Sequence, residues 1–422
     1  MPTRTPAPAA VPRLTYLRIK NYRALRDVEF RDLTPLTVLI GPNGSGKSTV
    51  LDALDFLAEA VRGNLTGAWE KRNRFAGMRT RGSEGNIEFE LQIHLSQETV
   101  INYKLEVEEK DGKITVNNEV STLLGKIDKR IKYKVERENP EEIYVPADTS
   151  GGFLLTQNPR NIYGSDLIGL SLGTSALNPA LYFIGLFKDE REKLGKYEVP
   201  LANFLQSYRY IHLTDDHLKG YSDAGPREKL SPNGDNLPNV LYYLHTKHPE
   251  VLEKITAQLR RWVPGLADIV MESTSDERLL LRFKDAPFEK PLPAQYMSAG
   301  TMRLAALLTL LYEPGATGLL GLEEPENELH PQLLAYLAEE LIAATDTRQL
   351  LVATHSPALL NALAPEQVWI LHRGADGYTQ ATRTADLPGI SAMVEEGTPL
   401  GYLWSRNFFD VGNPMDLPVP VK

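Results

Sequence analysis

Residues Leu36–Ile40, Leu-Thr-Val-Leu-Ile, lead directly into Gly41-Pro42-Asn43-Gly44-Ser45-Gly46-Lys47-Ser48-Thr49. The apolar run predicts a buried parallel strand. The glycine-rich residues match G-x-x-x-x-G-K-[ST], the pattern of a phosphate-binding P-loop. Six apolar residues then recur at helical spacing: Val50, Leu51, Leu54, Leu57, Ala58 and Val61. A P-loop between a strand and a helix predicts an α/β fold that binds a nucleoside triphosphate.

The residue types in this loop suit phosphate chemistry. Gly44 and Gly46 allow the backbone to wrap closely around phosphate oxygens, and the helix N-terminus adds positive potential. Lys47 places a point charge at the β- and γ-phosphates, and Ser48 is a ligand for Mg²⁺. We therefore expect Asn43 through Thr49 to contact ATP, with Mg²⁺ beside Ser48.

A second motif follows an apolar run near the end of the chain. Leu319–Pro325 reads Leu-Leu-Gly-Leu-Glu-Glu-Pro, which predicts a core strand ending in two carboxylates. Beside a P-loop, Glu323 can hold the water shell of Mg²⁺ and Glu324 can polarise an attacking water. The competing interpretation is a solvated acidic turn.

Two more features support the same site. Gln349–Thr354 predicts a strand, and His355 follows it at the sheet edge where ligands bind, although a single histidine is more often structural. Ser298-Ala299-Gly300-Thr301 precedes an apolar helical run, and a small-residue turn at a helix N-terminus is a candidate anion site. That second signal is weak alone and gains meaning from its place upstream of the two carboxylates.

The order of these motifs resembles the SMC/RecF-like branch of ABC ATPases, and within it the small predicted ATPases related to the OLD and RecF proteins. The motifs that carry the resemblance are the P-loop, Ser-Ala-Gly-Thr, Glu-Glu-Pro-Glu-Asn-Glu-Leu-His-Pro and Thr-His-Ser-Pro. The opening Leu17–Leu25 also resembles the first strand of these proteins. The resemblance is strong over residues 14–62 and 295–372 and weaker over 208–264 and the last fifty residues.

This resemblance implies ATP and Mg²⁺ as ligands and a homodimer closed head to tail around two ATP molecules. Ser298 and Gly300 would contact the γ-phosphate held by the other protomer, and residues 326–330 would cross the dimer. Glu324 would be the catalytic carboxylate, His355 the switch histidine, and Arg23 would lie near the phosphates. The implied roles are DNA repair or maintenance, or anti-phage defence, with double-stranded DNA or a separate effector protein as partner.

Some positions depart from the family pattern. Glu323 stands where an aspartate is usual, so its carboxylate is displaced by roughly one C–C bond, and Ala299 replaces the common Gly or Asp. Gln92 lies on the polar side of an alternating strand and is not a convincing Q-loop residue. Two alternatives stay open: an ATP-binding scaffold with little turnover, and the ATP-binding subunit of a membrane transporter. The long insertion, the Ser-Ala-Gly-Thr motif and the Asn-Tyr-Arg strand count against the transporter.

The organisation expected from the sequence is a flexible tail (1–13), an ATPase core in two parts (14–90 and 291–422) and an inserted β and helical lobe (91–290). Alternation over 87–95, 103–107 and 131–135 predicts an antiparallel meander, and residues 251–263 predict an amphipathic helix. Residues 139–152 and 222–238 are expected to be loops. No sustained heptad pattern occurs, which argues against a coiled-coil arm. The residues after His355 leave little room for a toprim-type nuclease.

Composition narrows the remaining classes. The 422 residues include no cysteine and carry a net charge of −9, which fits a cytoplasmic location and excludes disulfides, thiol catalysis and a wholly basic DNA-binding surface. Glu313-Pro314 interrupts the most apolar stretch, so no membrane span is expected. Asp215-Asp216-His217 is interpreted as an exposed loop rather than a metal site. Two basic segments are candidate DNA contacts: Lys71, Arg72, Arg74, Arg79 and Arg81, and Lys126, Lys129, Arg130, Lys132 and Lys134.

Overall fold

A computed structural model describes residues 11–96, 99–125, 153–157, 201–219, 222–223, 225–273 and 278–413. Its central layer is a six-stranded sheet. The strands are β3 (Leu36–Ile40), β8 (Arg209–Ile211), β13 (Leu319–Glu323), β14 (Gln349–Thr354), β15 (Val368–Arg373) and β16 (Thr379–Arg383). Their order is β16-β15-β3-β14-β13-β8, parallel throughout except for the antiparallel β16.

The apolar runs predicted as core strands are confirmed. Every residue of β3 and β14 is buried, and β13 is buried up to its last residue. Parallel sheets are covered on both faces, so their strands read as continuous apolar runs. Because the strands are parallel, the carboxyl ends of β3, β13 and β14 meet at one edge, where the P-loop, Glu323-Glu324 and His355 emerge.

A second sheet is antiparallel and has the order β2-β1-β4-β5-β6-β7. Its strands are β1 (Arg13–Tyr22), β2 (Leu25–Phe30), β4 (Ile87–His94), β5 (Thr99–Lys110), β6 (Lys113–Gly125) and β7 (Phe153–Gln157). Buried and half-buried residues alternate along β4, as predicted. The strand expected at 131–135 and the loop at 139–152 lie outside the described residues, as does most of the expected tail.

The sheet pairing departs from the domain boundaries expected from the sequence. The boundary between residues 90 and 91 falls inside β4, and β4 pairs along its length with β1, so the start of the chain belongs to the antiparallel lobe. In the opposite sense, β8 comes from the stretch assigned to the insertion but pairs with β13 in the central sheet. Pairing between strands distant in sequence leaves no trace in local periodicity, which explains both differences.

Helices cover the sheets. They are α1 (Lys47–Glu59), α2 (Leu65–Lys71), α3 (Arg74–Met78), α4 (described over 201–207), α5 (Asp215–Leu218), α6 (Leu237–Lys247), α7 (Pro249–Trp262), α8 (Ala299–Leu311), α9 (Leu334–Ala344), α10 (Pro357–Leu360), α11 (Ile390–Glu395) and α12 (Leu400–Ser405). Helix α7 confirms the predicted amphipathic helix. The expected loop 222–238 contains a two-residue strand, β9 (Ser222–Asp223), and ends where α6 begins.

The core has two halves, one on each side of the central sheet. Val38 and Ile40 face one half, with helices α6 to α10, while Leu39 faces the other, with α1 and the antiparallel sheet. A small third sheet packs beside α6 and α7 and contains β9, β10 (Leu266–Ser273), β11 (Arg278–Asp285) and β12 (Leu292–Pro293). Among the described helices, none has the length and hydrophobicity needed to cross a bilayer.

Candidate functional site

The P-loop forms a cradle between β3 and α1. Gly44 and Gly46 adopt left-handed conformations, with φ of 73° and 107°, and the amide of Ser45 between them donates to the carbonyl of Pro42 (3.2 Å), which closes the turn. Asn43 and Gly44 are exposed, and the Lys47 side chain lies under the loop with its Nζ donating to the carbonyls of Gly41 (2.9 Å) and Pro42 (3.1 Å). The backbone geometry fits a bound chain of phosphates.

Burial sets the charge behaviour of Lys47. The residue is only 5% exposed, and burial lowers its pKa to about 8, while Glu324, Glu323 and Glu326 act in the opposite direction. Near pH 8 the Lys47 ammonium is therefore close to losing its proton. An anion bound beside it would favour the charged form and raise this pKa.

The hairpin between β15 and β16 holds the P-loop from outside. Thr379 Oγ1 donates to the carbonyl of Ser45 (2.8 Å), and Arg373 Nε donates to the carbonyl of Gly44 (2.7 Å). In a trans peptide the C=O and the following N–H point in opposite directions. Fixing these two carbonyls outward therefore points the amides of Ser45 and Gly46 away from the hairpin.

Glu323 ends β13 directly beside the P-loop helix. Its Oε1 accepts a very short hydrogen bond from Ser48 Oγ, and its Oε2 contacts Tyr210 Oη, also very closely, and His212 Nδ1 at 3.1 Å. Burial raises the pKa of Glu323. An all-oxygen donor set is what Mg²⁺ prefers, so Ser48 and Glu323 fit the metal that the sequence predicted there.

The longer Glu323 side chain spans two elements. One carboxylate oxygen meets Ser48 on α1, and the other meets Tyr210 on the neighbouring strand β8 and His212 just after it.

Glu324 follows Glu323 and faces His355. Its Oε1 lies 3.4 Å from His355 Nε2, and its Oε2 accepts from Asn327 Nδ2 at 2.6 Å. Burial and the charge of Lys47 lower the pKa of His355. A neutral imidazole beside an accessible carboxylate can donate one hydrogen bond to a phosphate oxygen while the carboxylate polarises a water.

The loop after Glu324 is anchored to the next strand. Glu326 is buried and accepts hydrogen bonds from Thr354 Oγ1, at the end of β14, and from the amide of His355 (2.9 Å). Burial raises the pKa of Glu326. This carboxylate, expected from the family resemblance to belong to a dimer-crossing loop, holds the histidine backbone in the same chain.

Ser298 and Gly300 form a separate cluster at the start of α8. Ser298 is exposed, and its Oγ accepts from the amide of Thr301 (3.1 Å), capping the helix. A Cβ on Gly300 would lie 2.5 Å from the carbonyl oxygen of Glu328, so only glycine allows this approach. The motif thus has a packing role within the chain, whatever it contacts in a partner.

Arg23 is engaged with α1 instead of standing free. Its Nη2 lies 3.0 Å from Asp52 Oδ2, and its Nε donates to the carbonyl of Gly77 (3.2 Å). Asp52 lies five residues after Lys47, so the proximity of Arg23 to the phosphates stays a prediction.

The first basic segment is largely ion-paired. Arg72 is buried and contacts three carboxylates on one face of α1: Asp52 (3.0 Å), Asp55 (2.8 Å) and Glu59 (2.5 Å). Lys71 also contacts Glu59 (2.6 Å), and Arg74 lies 3.7 Å from Glu70. Interpreting this segment as an open basic patch is therefore wrong for Arg72. The second basic segment, 126–134, lies outside the described residues.

Other sequence expectations are resolved as follows. Gln92 donates to Asn102 Oδ1 (2.9 Å) across β4 and β5, so its amide is engaged within the antiparallel sheet. The expected loop at Asp215-Asp216-His217 is wrong, because these residues form the short helix α5, and Asp215 lies 3.9 Å from Arg303 Nη2. Within the described part of the chain, no group of acidic or histidine side chains forms a separate metal site.

Several site residues escaped the sequence analysis. Tyr210 belongs to a three-residue strand, too short for any periodicity to show, and His212 follows directly after it. Arg303 and Thr379 belong to no recognised motif. Their common signal is position alone, because each lies at a strand or helix end that the parallel sheet brings to the P-loop edge.

Three comparisons with known proteins match this geometry. The chain is 24% identical over 389 residues to an OLD nuclease of Thermus scotoductus, covering 86% of this chain and 62% of that protein. It is 25% identical over 182 residues to the DNA double-strand break repair Rad50 ATPase of Methanococcus maripaludis, covering 42% of this chain and 17% of that protein. The chain thus spans less than two thirds of the length of either relative.

Among solved structures, the crystal structure of an Smc head bound to the C-winged helix domain of ScpA matches with a TM-score of 0.51 at 12% identity, covering 87% of this chain and 96% of that one. This likeness supports the fold. Residues 36–361 match the family model described as AAA domain, putative AbiEii toxin, Type IV TA system. Because that match spans well over half of the chain, the protein belongs to this AAA family, with the fold of the SMC/RecF/OLD-like ABC-type ATPases.

Proposed function

We propose that this protein binds ATP with Mg²⁺ and hydrolyses it, and that two protomers close head to tail around two nucleotides. The observation that carries the proposal is the meeting of three sequence-distant segments at one sheet edge: Lys47 and Ser48 of the P-loop, Glu323 and Glu324, and His355. Ser48 contacts Glu323, and Glu324 contacts His355. The charges of Glu323 and Glu324 act on the buried Lys47.

Each residue has a distinct role in this chemistry. The P-loop amides and Lys47 bind the β- and γ-phosphates, and Ser48 with Glu323 would hold Mg²⁺, which supplies charge neutralisation at the phosphate oxygens. Glu324 accepts a proton from the attacking water, and Asn327 orients its carboxylate. His355 donates a hydrogen bond to the γ-phosphate. Arg373 and Thr379 keep the P-loop backbone in its binding conformation.

The head-to-tail dimer is supported by the separation of the site into two clusters. Ser298 is exposed at the N-terminus of α8, a position suited to an anion. Its hydrogen bonds go to Thr301, and its helix packs on the loop after Glu324 rather than on the P-loop. A nucleotide bound to a second protomer would give this cluster a ligand.

The dimer is tested by the mass of the protein in solution. Light scattering of Glu324→Gln with Mg-ATP should give twice the monomer mass, because nucleotide binds but is not turned over. Adding Ser298→Arg should return the mass to that of one chain, since the larger cation replaces the exposed hydroxyl. Glu250→Gln, a 70% exposed carboxyl on α7, is the matched control for charge loss. A monomer mass for Glu324→Gln under saturating ATP would contradict the dimer.

We propose a separate effector protein as partner ahead of double-stranded DNA. The charged face of the antiparallel sheet carries mutual ion pairs, as between Arg18 and Asp27 (2.8 Å) and between Lys104 and Glu88 (3.1 Å). Together with the buried Arg72, these pairs offset part of the positive charge on the described part of that lobe. Phosphate release that rises with DNA and falls with salt would reverse this order and point to residues 126–134. An ATP-binding scaffold, one of the two alternatives that the sequence leaves open, would saturate with ATP and release almost no phosphate.

A further inference from the structure

Arg303 is a buried arginine that the proposed chemistry does not use. It lies in the second turn of α8 and is 4% exposed. Its Nη1 donates to the carbonyl of Glu324 (3.2 Å) and its Nη2 to the carbonyl of Leu213 (3.0 Å). An arginine is costly to bury, so one that directs its donors at two backbone carbonyls marks a place where backbone position matters.

The Glu324 backbone is in an unfavourable conformation. Its φ is +43°, in the left-handed region that residues other than glycine rarely adopt. Its carbonyl accepts from the amide of Asn327 (3.2 Å) as well as from Arg303, and its own amide donates to Ala353 (2.8 Å). Strain of this kind persists at functional sites when the surroundings over-determine it.

The same helix touches the Glu324 loop a second time. Gly300, one turn before Arg303, packs so closely on the Glu328 carbonyl that a Cβ would lie 2.5 Å from it. Leu213, the other carbonyl bound by Arg303, follows His212, which contacts Glu323. The first two turns of α8 are therefore joined to the ends of both β13 and β8.

We propose that Arg303 is a positioning residue that holds the Glu324 backbone in its left-handed conformation and makes the aim of the carboxylate depend on the position of α8. The proposal rests on the proposed function, in which Ser298 at the start of α8 contacts the nucleotide bound to the partner protomer. A shift of α8 when that nucleotide arrives moves Arg303, and with it the Glu324 carbonyl. Hydrolysis in one protomer then responds to nucleotide held by the other.

The kinetic test compares Arg303→Met and Arg303→Lys with Arg348→Met. Arg348 is the matched control: it is 3% exposed and donates to the carbonyl of Leu310 (3.1 Å) at the opposite end of α8. We expect Arg303→Met to keep its ATP dissociation constant within about twofold and to lose about 100-fold in kcat, the scale of a catalytic group misplaced by about 1 Å. Arg303→Lys, which restores one donor, should recover part of kcat. Arg348→Met should lose stability but not kcat.

A double variant separates positioning from general damage. If Arg303 acts through Glu324, adding Arg303→Met to Glu324→Gln should cost no further activity, because groups that act as a unit are not additive. A multiplied loss, or an equal loss of kcat in Arg348→Met, would overturn the proposal.

A second readout does not depend on turnover. In hydrogen exchange, the amides of Glu324, Asn327 and Leu329 should exchange at least about tenfold faster in Arg303→Met than in wild type, while β14 amides keep their protection. Unchanged exchange would refute the positioning role even if the protein hydrolyses ATP. Faster exchange in a protein with no measurable phosphate release would uphold the role of Arg303 and refute the proposed function instead.

Discussion

The protonation of Lys47 gives a prediction whose size follows from the structure. The side chain is nearly fully buried, and its Nζ is held by the carbonyls of Gly41 and Pro42 without a carboxylate in contact. Burial lowers its pKa to about 8 in the nucleotide-free protein. Bound phosphates favour the charged form, so nucleotide binding raises this pKa.

The sign of the pH dependence follows from linkage. Below pH 8 the ammonium is already charged in the free protein, so ATP affinity should be flat. Above pH 8, binding must first recover a proton, and affinity should fall tenfold for each pH unit until the pKa of the complex is reached. Relative to the plateau well below pH 8, the loss at pH 9.5 should approach about 30-fold, or about 2 kcal/mol.

Titration of a fluorescent ATP analogue with Mg²⁺ across pH 7 to 9.5 measures this loss directly. The matched variant is Lys47→Arg, whose guanidinium stays charged throughout. Its affinity should be independent of pH, whatever its absolute value. A flat profile for wild type, or the same slope in Lys47→Arg, would refute the assignment of the slope to Lys47.

Three further substitutions probe the supports of the site. Arg72→Met should lower the free energy of unfolding in urea by about 2–3 kcal/mol, because three half-buried carboxylates on α1 lose the charged hydrogen bonds of its guanidinium, whereas the exposed Arg74→Met should change it by less than about 0.5 kcal/mol; equal effects would contradict the network around Arg72. Tyr210→Phe should raise the Mg²⁺ concentration for half-maximal ATP binding about tenfold, because it removes a group that orients a metal ligand. The control Tyr336→Phe, at a tyrosine on α9 that is 40% exposed, should leave this Mg²⁺ concentration unchanged. Thr379→Val should weaken ATP binding about fivefold, because the Ser45 carbonyl loses its hydrogen bond. The control Thr246→Val, which loses a hydroxyl bonded within α6, should leave ATP affinity unchanged.

The parts of the site that could be predicted are contiguous motifs at strand ends. The P-loop is local in sequence, and its glycine conformations follow from its own residues. Glu324 and His355 could be placed beside it because β3, β13 and β14 each read as an apolar run followed by polar residues, and parallel strands bring such ends together. The sequence predicts this part of the site because all of its residues lie directly after the carboxyl end of a parallel strand.

The basic segment shows why charge runs mislead. Arg72 was grouped with its sequence neighbours, yet Asp52, Asp55 and Glu59 recur at helical spacing on α1 and form a negative face. That spacing was visible, but nothing local indicated that α2 folds back to place Arg72 against it. Packing between helices decides whether a charge is solvated or paired.

The antiparallel lobe and β8 could not be placed for a related reason. Periodicity identifies β4 and β5 as strands but not their partners, so the sequence alone does not separate β1 from the ATPase core. Strand β8 has three residues and depends on β13 for its register. Tyr210 and His212 therefore became part of the site only through tertiary structure.

The central claim is that Glu324 carries ATP hydrolysis at this sheet edge. Steady-state phosphate release with Mg-ATP, measured for wild type and for Glu324→Gln at matched nucleotide occupancy, tests it most directly. We expect release by wild type and a loss of at least about 100-fold in Glu324→Gln, the usual contribution of a general base, with ATP affinity retained. Equal rates for the two proteins, or no release by wild type saturated with ATP, would contradict it.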